Sequence, residues 1–494
     1  MPIDTSDASS VPETLFYGKW FKTSMALVVY NTLTRTKEPF EPLHGRRVNL
    51  FVCGITPSNS AHMGHAKTYV TFDIVARYLR FLGYHVFYLQ NVTDIEDRIV
   101  QRMTETGRDW RELGREYFQE FQDGMEALHC RSVSLLAYAT EYMPEIIHQV
   151  QRLIDKGYAY ASGGSVYYSV AKFDGWGKLS GQKIEKHEPG ARIEVDANKR
   201  DPADFALWKA QKPGEPAWES PWGLGRPGWH IEDTAIAIAH FGPQYDLHGA
   251  AIEISFPHHE AEIAQAEAYT GFSPYVKYWM HTGMLMVHGE EMHKSLGNFW
   301  SIRDALKHYD GEVLRFYLLH AHYRSPIDFS ENQLEEAKAS YGRLKESLGN
   351  LESALRSPSP QGKADSWLSE RVKETRRAFL ERMDDDFNTR EALAVLFDFV
   401  RELNKALTEG AGQTALVESR RLFVEVTSIL GILESARAPE KEVLDRLIAL
   451  LVGMREEARK NKDYALSDKL RGQLSELGVV LEDHPEGVRW KLRP

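Results

Sequence analysis

Cysteine is nearly missing from this chain: Cys53 and Cys130 are the two thiols in 494 residues. Two cysteines cannot build a disulfide framework, which fits a reducing compartment such as the cytoplasm. A basic excess is missing as well. The formal net charge is −11, which argues against a general nucleic-acid coat and against binding to anionic membranes, though a local basic groove remains open. No apolar run approaches the roughly 18 residues of a membrane span. The opening "MPIDTSDASSVPE" has neither a basic patch nor an apolar core. It reads as neither a signal peptide nor a transit peptide, and residues 1–24 are expected to be a loosely held extension. No repeat or low-complexity tract stands out.

What is present is an ordinary globular composition, with 43% hydrophobic and 11% aromatic residues. The length suits about three domains. "LVVYNTLT" and "RRVNLFVCG" have the β-branched, apolar character of strands. "YVTFDIVARYLRFLGY" has helical spacing, and Gly83 is its expected stop. "HVFYLQNVTD" reads as the next buried strand. Strand, helix, strand predicts a parallel sheet of the α/β class. Residues from about 110 to 155 read as helical and charged. From about 156 to 228, Gly, Pro and short strands suggest an insertion. The α/β pattern resumes at "YDLHGAAIEISFPHHEAEIAQAEAYTG" and "YVKYWMHTGMLMV". From about 330 the chain reads as almost all amphipathic helix, broken by a loop at "RSPSPQGKADS" and a linker at "ESARAPE".

Three stretches carry chemistry. In "NLFVCGITPSNSAHMGHAKTYV", His62 and His65 are three apart at the start of a helix, on one face. A helix N-terminus binds anions, and imidazoles there can donate to phosphate oxygens; Gly64 lets a flat ring approach the backbone. Two surface histidines at a helix start explain the tetrapeptide about equally well. In "GEEMHKSLGN", Lys294 is a point charge suited to a phosphate, or simply part of a solvated loop. The third stretch is a scatter of metal-ligand types. Cys53 ends a strand, "PGWHIEDTAI" offers His230, Glu232 and Asp233, and "SFPHHEAEIAQ" offers His258, His259, Glu260 and Glu262. His258 and Glu262, four apart on a helix, have a spacing zinc uses. A small buried hydrophobe at Cys53 and a capped helix start at "HHEAE" are the plainer alternatives.

The order of "CGITPSNSAHMGHA", "QNVTDIEDRI", "GWHIEDTA", "DLHGAAIEISFPHHEAEIAQ", "YWMHTGMLM" and "MHKSLGNF" closely resembles the cysteinyl-tRNA synthetases, a class I synthetase family. The resemblance covers about residues 25–494. It extends to "MDDDFNTREALAVLF" and "DYALSDKLRGQLSELGVVLEDHPEGVRW" in the tail. It implies a Rossmann-like catalytic domain over 25–325 with a connective insertion at about 115–228. A helical bundle over 326–434 and a small anticodon-binding domain over 435–494 would follow.

The implied reaction joins L-cysteine and ATP, with Mg2+, into cysteinyl-adenylate, then transfers the aminoacyl group to tRNA(Cys). His62 and His65 match the family's "HIGH" signature and Lys294 its "KMSKS" loop; these would be the catalytic residues. Gly54, Gly64, Asp246, His248 and Gly249 would join them around ATP. Thr93 and Trp229 would close on the amino acid. Zn2+, held by Cys53, Asp233, His258 and Glu262, would select the substrate thiol, since a soft thiolate is a much better ligand than a hydroxyl. A hydrophobic pocket alone separates such near-isosteres poorly.

Two positions depart from the family pattern. Asp233 stands where much of the family has a second cysteine, which hardens the donor set; Asp233, His230 or water could fill that place. The loop reads "EMHKS", with Glu291 and His293 in place of Lys and Ser. Basic stretches "REEARKNKDYALSDKLRG" and "RWKLRP", with Trp490 as a candidate stacking platform, would serve the tRNA. A monomer in the cytoplasm is expected. Two other readings share parts of this pattern: a cysteine:amino-sugar ligase of the mycothiol type, and an RNA-binding paralog that does not charge tRNA.

Overall fold

The computed structural model describes residues 26–182, 196–287, 289–292, 298–356, 362–434, 439–461, 463–476, 479–484 and 487–492. The extension at 1–24 and Lys294 lie outside the described residues. Contacts divide the chain into two units, 1–431 and 432–494.

The heart of the first unit is a five-stranded parallel sheet. Its strands, in spatial order, are Val276–Thr282, Tyr245–Ala251, Arg47–Val52, His85–Val92 and Leu135–Tyr138. Arg47–Val52 comes first of the five in the chain yet lies in the middle, so the winding reverses beside it. In doubly wound sheets, ligands bind at the carboxyl ends of the strands where the order reverses. The five strands are mostly buried apolar runs, as strands covered on both faces must be.

Helix Met63–Phe81 connects the first two strands, and its Phe72 packs against Gly249 of the sheet. A Cβ at Gly249 would lie 2.4 Å from the Phe72 ring, so that helix reaches the sheet through the missing side chain. The helix ends as its sequence suggests, with Gly83 at φ +85° just past Leu82. On another side of the sheet, helices Ile231–Phe241 and Glu260–Thr270 bury Ile236, Ala237 and Ile263 against Phe51, Leu89, Tyr245 and Trp279.

Two expectations need correction. The insertion does not begin near 115, because Leu135–Tyr138 is a strand of the parallel sheet. The inserted piece is a four-stranded antiparallel sheet of Ala159–Ser162, Ser165–Tyr168, Phe205–Ala210 and Gly225–Pro227. The tail is not all helix either. After helices Pro439–Lys460 and Tyr464–Glu476, the second unit closes with an antiparallel hairpin, Val479–His484 paired to Gly487–Leu492. The β-branched, alternating "VVLEDH" and "GVRWKL" overrode the helical trend around them. Trp490 lies in that hairpin, opposite Leu481. No helix among the described residues is long and apolar enough to cross a membrane.

Helices Glu331–Arg356, Asp365–Asp384, Thr389–Glu409 and Gln413–Leu430 form a bundle in the first unit. Buried charge ties it to the sheet. Arg315 is 0% exposed, with Nη2 2.6 Å from Asp73 Oδ2 and Nε donating to Leu430 O at 2.8 Å. Arg77 also donates to Asp73, at 2.7 Å, and to Ser428 O at 3.1 Å. Asp73 Oδ1 accepts the amides of Arg131 and Ser132. Nearby, Asp384 accepts from Tyr78 OH at 2.7 Å. Asp386 accepts from Tyr30 N, Tyr323 OH and Arg324 Nε, at 2.7–2.8 Å. Asp386 has φ +62°, an uncommon conformation for a side chain larger than Gly, and those three donors hold it there.

Burial alone would raise the Asp73 carboxyl, but Arg315 and Arg77 outweigh it and hold it below the usual range. Its stabilisation is therefore complete above the unfolded value near pH 4 and is lost as pH falls through the folded value. Asp73→Asn should destabilise the first unit by about 3–5 kcal/mol at neutral pH, because Arg315 is left buried without its counter-charge. The same variant should show a flatter loss of stability below about pH 4. Urea unfolding at several pH values measures both.

Candidate functional site

Cys53 stands at the carboxyl end of the central strand, where its N–H donates to Gly249 O at 3.0 Å. The next residue has no room for a side chain. A Cβ on Gly54 would sit 1.6 Å from Asn91 O, and Gly54 N donates to Asn91 Oδ1 at 2.6 Å. That close approach holds the ends of two neighbouring strands together beneath the site.

Around Cys53 Sγ the fold gathers donors from elements far apart in sequence. Asp233 Oδ2 lies at 3.4 Å, His248 Nε2 at 3.2 Å, His259 Nε2 at 3.3 Å and Glu262 Oε1 at 3.9 Å. His258 Nε2 lies 3.0 Å from both Asp233 Oδ2 and Glu262 Oε1. Thus Cys53, Asp233, His258 and Glu262 do come together. Their ligand atoms lie within 4.8 Å of one another, and so do those of a second set, Cys53, His248, His259 and Glu262. Glu260 is not part of either set; its carboxylate accepts the amides of Gly177 and Ser180 at 2.9 Å, in the loop before residue 183. Glu232 is also turned aside, accepting from Thr93 Oγ1.

A shell of hydrogen bonds orients the donors. Asn91 Nδ2 donates to Asp233 Oδ1 at 2.5 Å. His258 Nδ1 meets His230 Nδ1 at 2.8 Å, and Trp229 stacks on the His258 ring with centroids 4.5 Å apart. Gln265 donates to His230 O, fixing the start of the helix that carries Asp233.

In the metal-free chain the electrostatics are unfavourable. Burial, then the Glu262 and Asp233 charges, push the Cys53 thiol well above its usual range. Burial also raises Glu262, although His258 pulls the other way. Burial would lower His258, but Glu262 and Asp233 outweigh it and favour the imidazolium. Glu262 Oε2 is buried with no hydrogen-bond partner. A divalent cation would satisfy that oxygen and relieve the crowding of acidic groups, so the donor set fits zinc in number and type.

The His62–His65 turn lies at the far end of the same strand–helix connection. His62 caps the helix, its Nδ1 accepting from Gly64 N at 3.1 Å, while His65 Nδ1 accepts from His62 N at 3.1 Å. The two rings are 3.8 Å apart, centroid to centroid. A Cβ on Gly64 would meet the His62 ring at 2.8 Å, so glycine is what lets the ring fold over the helix start. Burial first, and His62 beside it, keep His65 below its usual pKa and neutral. With Nδ1 accepting, its proton resides on Nε2.

Described residues on either side of Lys294 meet this turn. Met292 Cε is 3.7 Å from the Cβ position of Gly64. Ser301 bridges to His62, Met63 N donates to Trp300 O at 3.0 Å, and Ile302 N to Ala61 O at 2.8 Å.

Other expected residues fall elsewhere. Asp246 is not in the site. It is 0% exposed near the start of its strand, and its oxygens accept Leu43 N at 2.6 Å and Asn49 N at 2.8 Å. Both oxygens of this carboxylate are engaged by backbone amides inside the protein, which ties it to the fold. His248, expected beside ATP, turns to Cys53, and Gly249 serves the packing of Phe72. Thr93 lies beside Asn91, which donates to it at 3.3 Å. Trp229 and His258 line a cavity of about 1170 Å³ that runs beneath the inserted sheet. Sequence reasoning did not foresee Asn91, Tyr245, Gln265 or His281 as supports; each reads as a core polar residue until its partner is known.

The family model "tRNA synthetases class I (C) catalytic domain" matches residues 39–339. A DALR domain matches 378–434, and "Cysteinyl-tRNA ligase anticodon binding domain" matches 448–490. The chain is 45% identical to a cysteine–tRNA ligase of Heliobacterium modesticaldum, over 94% of this chain and 100% of that protein. It is 44% identical to one of Thermococcus onnurineus, over 94% and 99%. Among solved structures it resembles a Mycobacterium tuberculosis methionyl-tRNA synthetase, with TM-score 0.57 and 14% identity, covering 78% of this chain and 89% of that one. It also resembles the LeuRS of Agrobacterium radiobacter K84, with TM-score 0.58 and 11% identity, covering 79% and 84%. These two likenesses are of fold.

Lys67 links the two anchored turns. It follows His65 on the same helix, is 2% exposed, and its Nζ donates to Gly283 O and Ser325 O at 2.6 Å and to Met284 O at 3.3 Å. Gly283 and Met284 lead directly into strand Leu285–Val287, which pairs with Glu290–Glu291. Burial lowers the ammonium pKa to about 8. Lys67→Met should cost about 3 kcal/mol, since it strands buried carbonyls; Lys67→Arg, which keeps the charge, should cost less. Urea midpoints of the two variants check the order.

Proposed function

The chain belongs to the cysteine–tRNA ligase family of class I tRNA synthetases, and we propose that it activates L-cysteine with ATP and joins it to tRNA(Cys). The observation that supports this best is one strand–helix turn serving two chemistries. Cys53 at its start faces a thiol-centred donor set, and Gly64 and His62 at its end meet Met292 and Ser301, described residues on either side of Lys294. The matches to DALR and anticodon-binding models favour a tRNA acceptor over an amino sugar.

In the first step a carboxylate oxygen of cysteine attacks the α-phosphorus of ATP. The bond to the bridging oxygen breaks and pyrophosphate leaves. No protein nucleophile takes part, so the chain acts by positioning and by stabilising phosphate charge. His62 and His65 donate to phosphate oxygens at a helix N-terminus, where the backbone dipole also favours negative charge. Lys294 offsets charge on the leaving pyrophosphate; ATP would bring Mg2+ with it. Gly54 and Gly64 would serve ATP indirectly, Gly54 by letting the two strand ends close up and Gly64 by letting the His62 ring fold over the helix start. In the second step a hydroxyl of the terminal ribose attacks the cysteinyl carbonyl carbon and AMP leaves. Thr93 and Trp229 border the amino acid. Zinc held by Cys53, Asp233, His258 and Glu262 would supply a soft Lewis acid for the substrate thiolate, which the hydroxyl of serine matches poorly. The acting form is taken to be a cytoplasmic monomer.

The purified protein should charge tRNA(Cys) with cysteine and leave an amino-sugar acceptor unchanged; the reverse outcome would overturn the proposal. Lys294→Ala should slow ATP–pyrophosphate exchange by about 10²–10³, comparable to losing one transition-state donor. An unchanged exchange rate would remove Lys294 from its role. Cys53→Ser should lower both zinc content and the preference for cysteine over serine, more than replacing any single histidine does. Metal analysis and paired exchange assays with the two amino acids measure this.

A further inference from the structure

The donors around Cys53 form two overlapping sets, and we propose that the chain offers one divalent ion two alternative seats. The outer seat is Cys53, Asp233, His258 and Glu262; the inner seat is Cys53, His248, His259 and Glu262. This rests on the reading above that the cluster holds a metal, and it adds where that metal can sit.

The inner seat is a built site. His248 and His259 are both 0% exposed and each aims Nε2 at Cys53 Sγ, at 3.2 and 3.3 Å. Neighbouring sulfur and nitrogen ligands on tetrahedral zinc are about 3.5 Å apart, given the usual bond lengths. The far nitrogen of each ring is engaged. Tyr245 OH meets His248 Nδ1 at 2.6 Å. His281 Nε2 meets His259 Nδ1 at 2.8 Å, and Thr32 Oγ1 in turn meets His281 Nδ1 at 2.8 Å. Metal-bound imidazoles are oriented by such outer hydrogen bonds. Glu262 Oε2, buried and without a hydrogen-bond partner, is a further donor atom at this point.

The seats differ in access and in softness. His258 of the outer seat and Trp229 stacked on it line the large cavity, whereas His248 and His259 do not. The outer set has two carboxylates, one imidazole and one thiolate. The inner set has two imidazoles, one carboxylate and one thiolate, which suits a borderline-soft ion such as zinc or cobalt better. Because Cys53 and Glu262 belong to both sets, one ion exchanges seats; two are not held at once. The outer seat presents the ion to substrate, and the inner seat retains it.

The full-length chain loaded with Co2+ tests this. Asp233→Asn is nearly isosteric and still accepts from Asn91. The variant should keep one equivalent of cobalt, with a thiolate-to-cobalt charge-transfer band. X-ray absorption should show its imidazole count rising from the wild-type value to two. Adding His248→Gln and His259→Gln to that variant should release the ion. Loss of cobalt from folded Asp233→Asn, or retention with a single imidazole, would overturn the proposal. Should Asp233→Asn fail to fold, the wild-type chain decides it. Without cysteine its average imidazole count should exceed one, and a count of one would refute the inner seat. If the wild-type chain takes up neither cobalt nor zinc, the metal reading falls as well, which separates the two failures.

Discussion

A thiol and two carboxylates buried around one point cannot all carry charge unless a cation joins them. Cys53, Asp233 and Glu262 are such a trio, and His258 alone offsets only part of it. Everything around the site serves this constraint. Asn91 holds Asp233, His230 and Trp229 hold His258, and Gln265 fixes the helix start beneath them. The cluster disfavours ionisation by itself and becomes favourable only with a soft, positively charged guest.

The position of the cluster follows from how the sheet is wound. The central strand is laid down first, and its neighbour Tyr245–Ala251 arrives nearly two hundred residues later. The crevice between their carboxyl ends is where the chain reverses its direction of winding, so donors from both halves meet there. Gly54 pressed on Asn91 O and Gly249 under Phe72 are the close approaches that make the crevice tight. The helix leaving that crevice begins with His62 to His65, so the Cys53 cluster and the two histidines share one strand–helix connection.

That helix is held along its length. Lys67 binds the carbonyls of the turn leading to the Lys294 segment. Asp73, two turns on, joins Arg77 and the fully buried Arg315, whose guanidinium also holds the end of the last bundle helix. Further along, Tyr78 meets Asp384 of the bundle. One helix thus connects the His62–His65 turn, the Gly283–Met284 turn and the bundle through buried polar contacts, where removing one partner is costly.

The sequence by itself determined the elements and the chemical inventory. Alternation and helical spacing marked the strands and the helix after Cys53, because burial patterns are local. The six motifs in order supplied the family and named Cys53, Asp233, His258 and Glu262, four side chains that the fold brings together. Tertiary structure alone decided which polar groups face each other. Asp246 looked like a nucleotide contact, yet backbone amides of Leu43 and Asn49 absorb it; no spacing encodes that, since the amides come from another strand and the loop before it. Leu135–Tyr138 joins the parallel sheet because its partner His85–Val92 is waiting there, a pairing invisible from its own short run. His248 and His259 turn to Cys53 only because Tyr245 and His281 hold their other nitrogens. Local pattern fixes what a segment is, and packing across distant segments fixes what each side chain can touch.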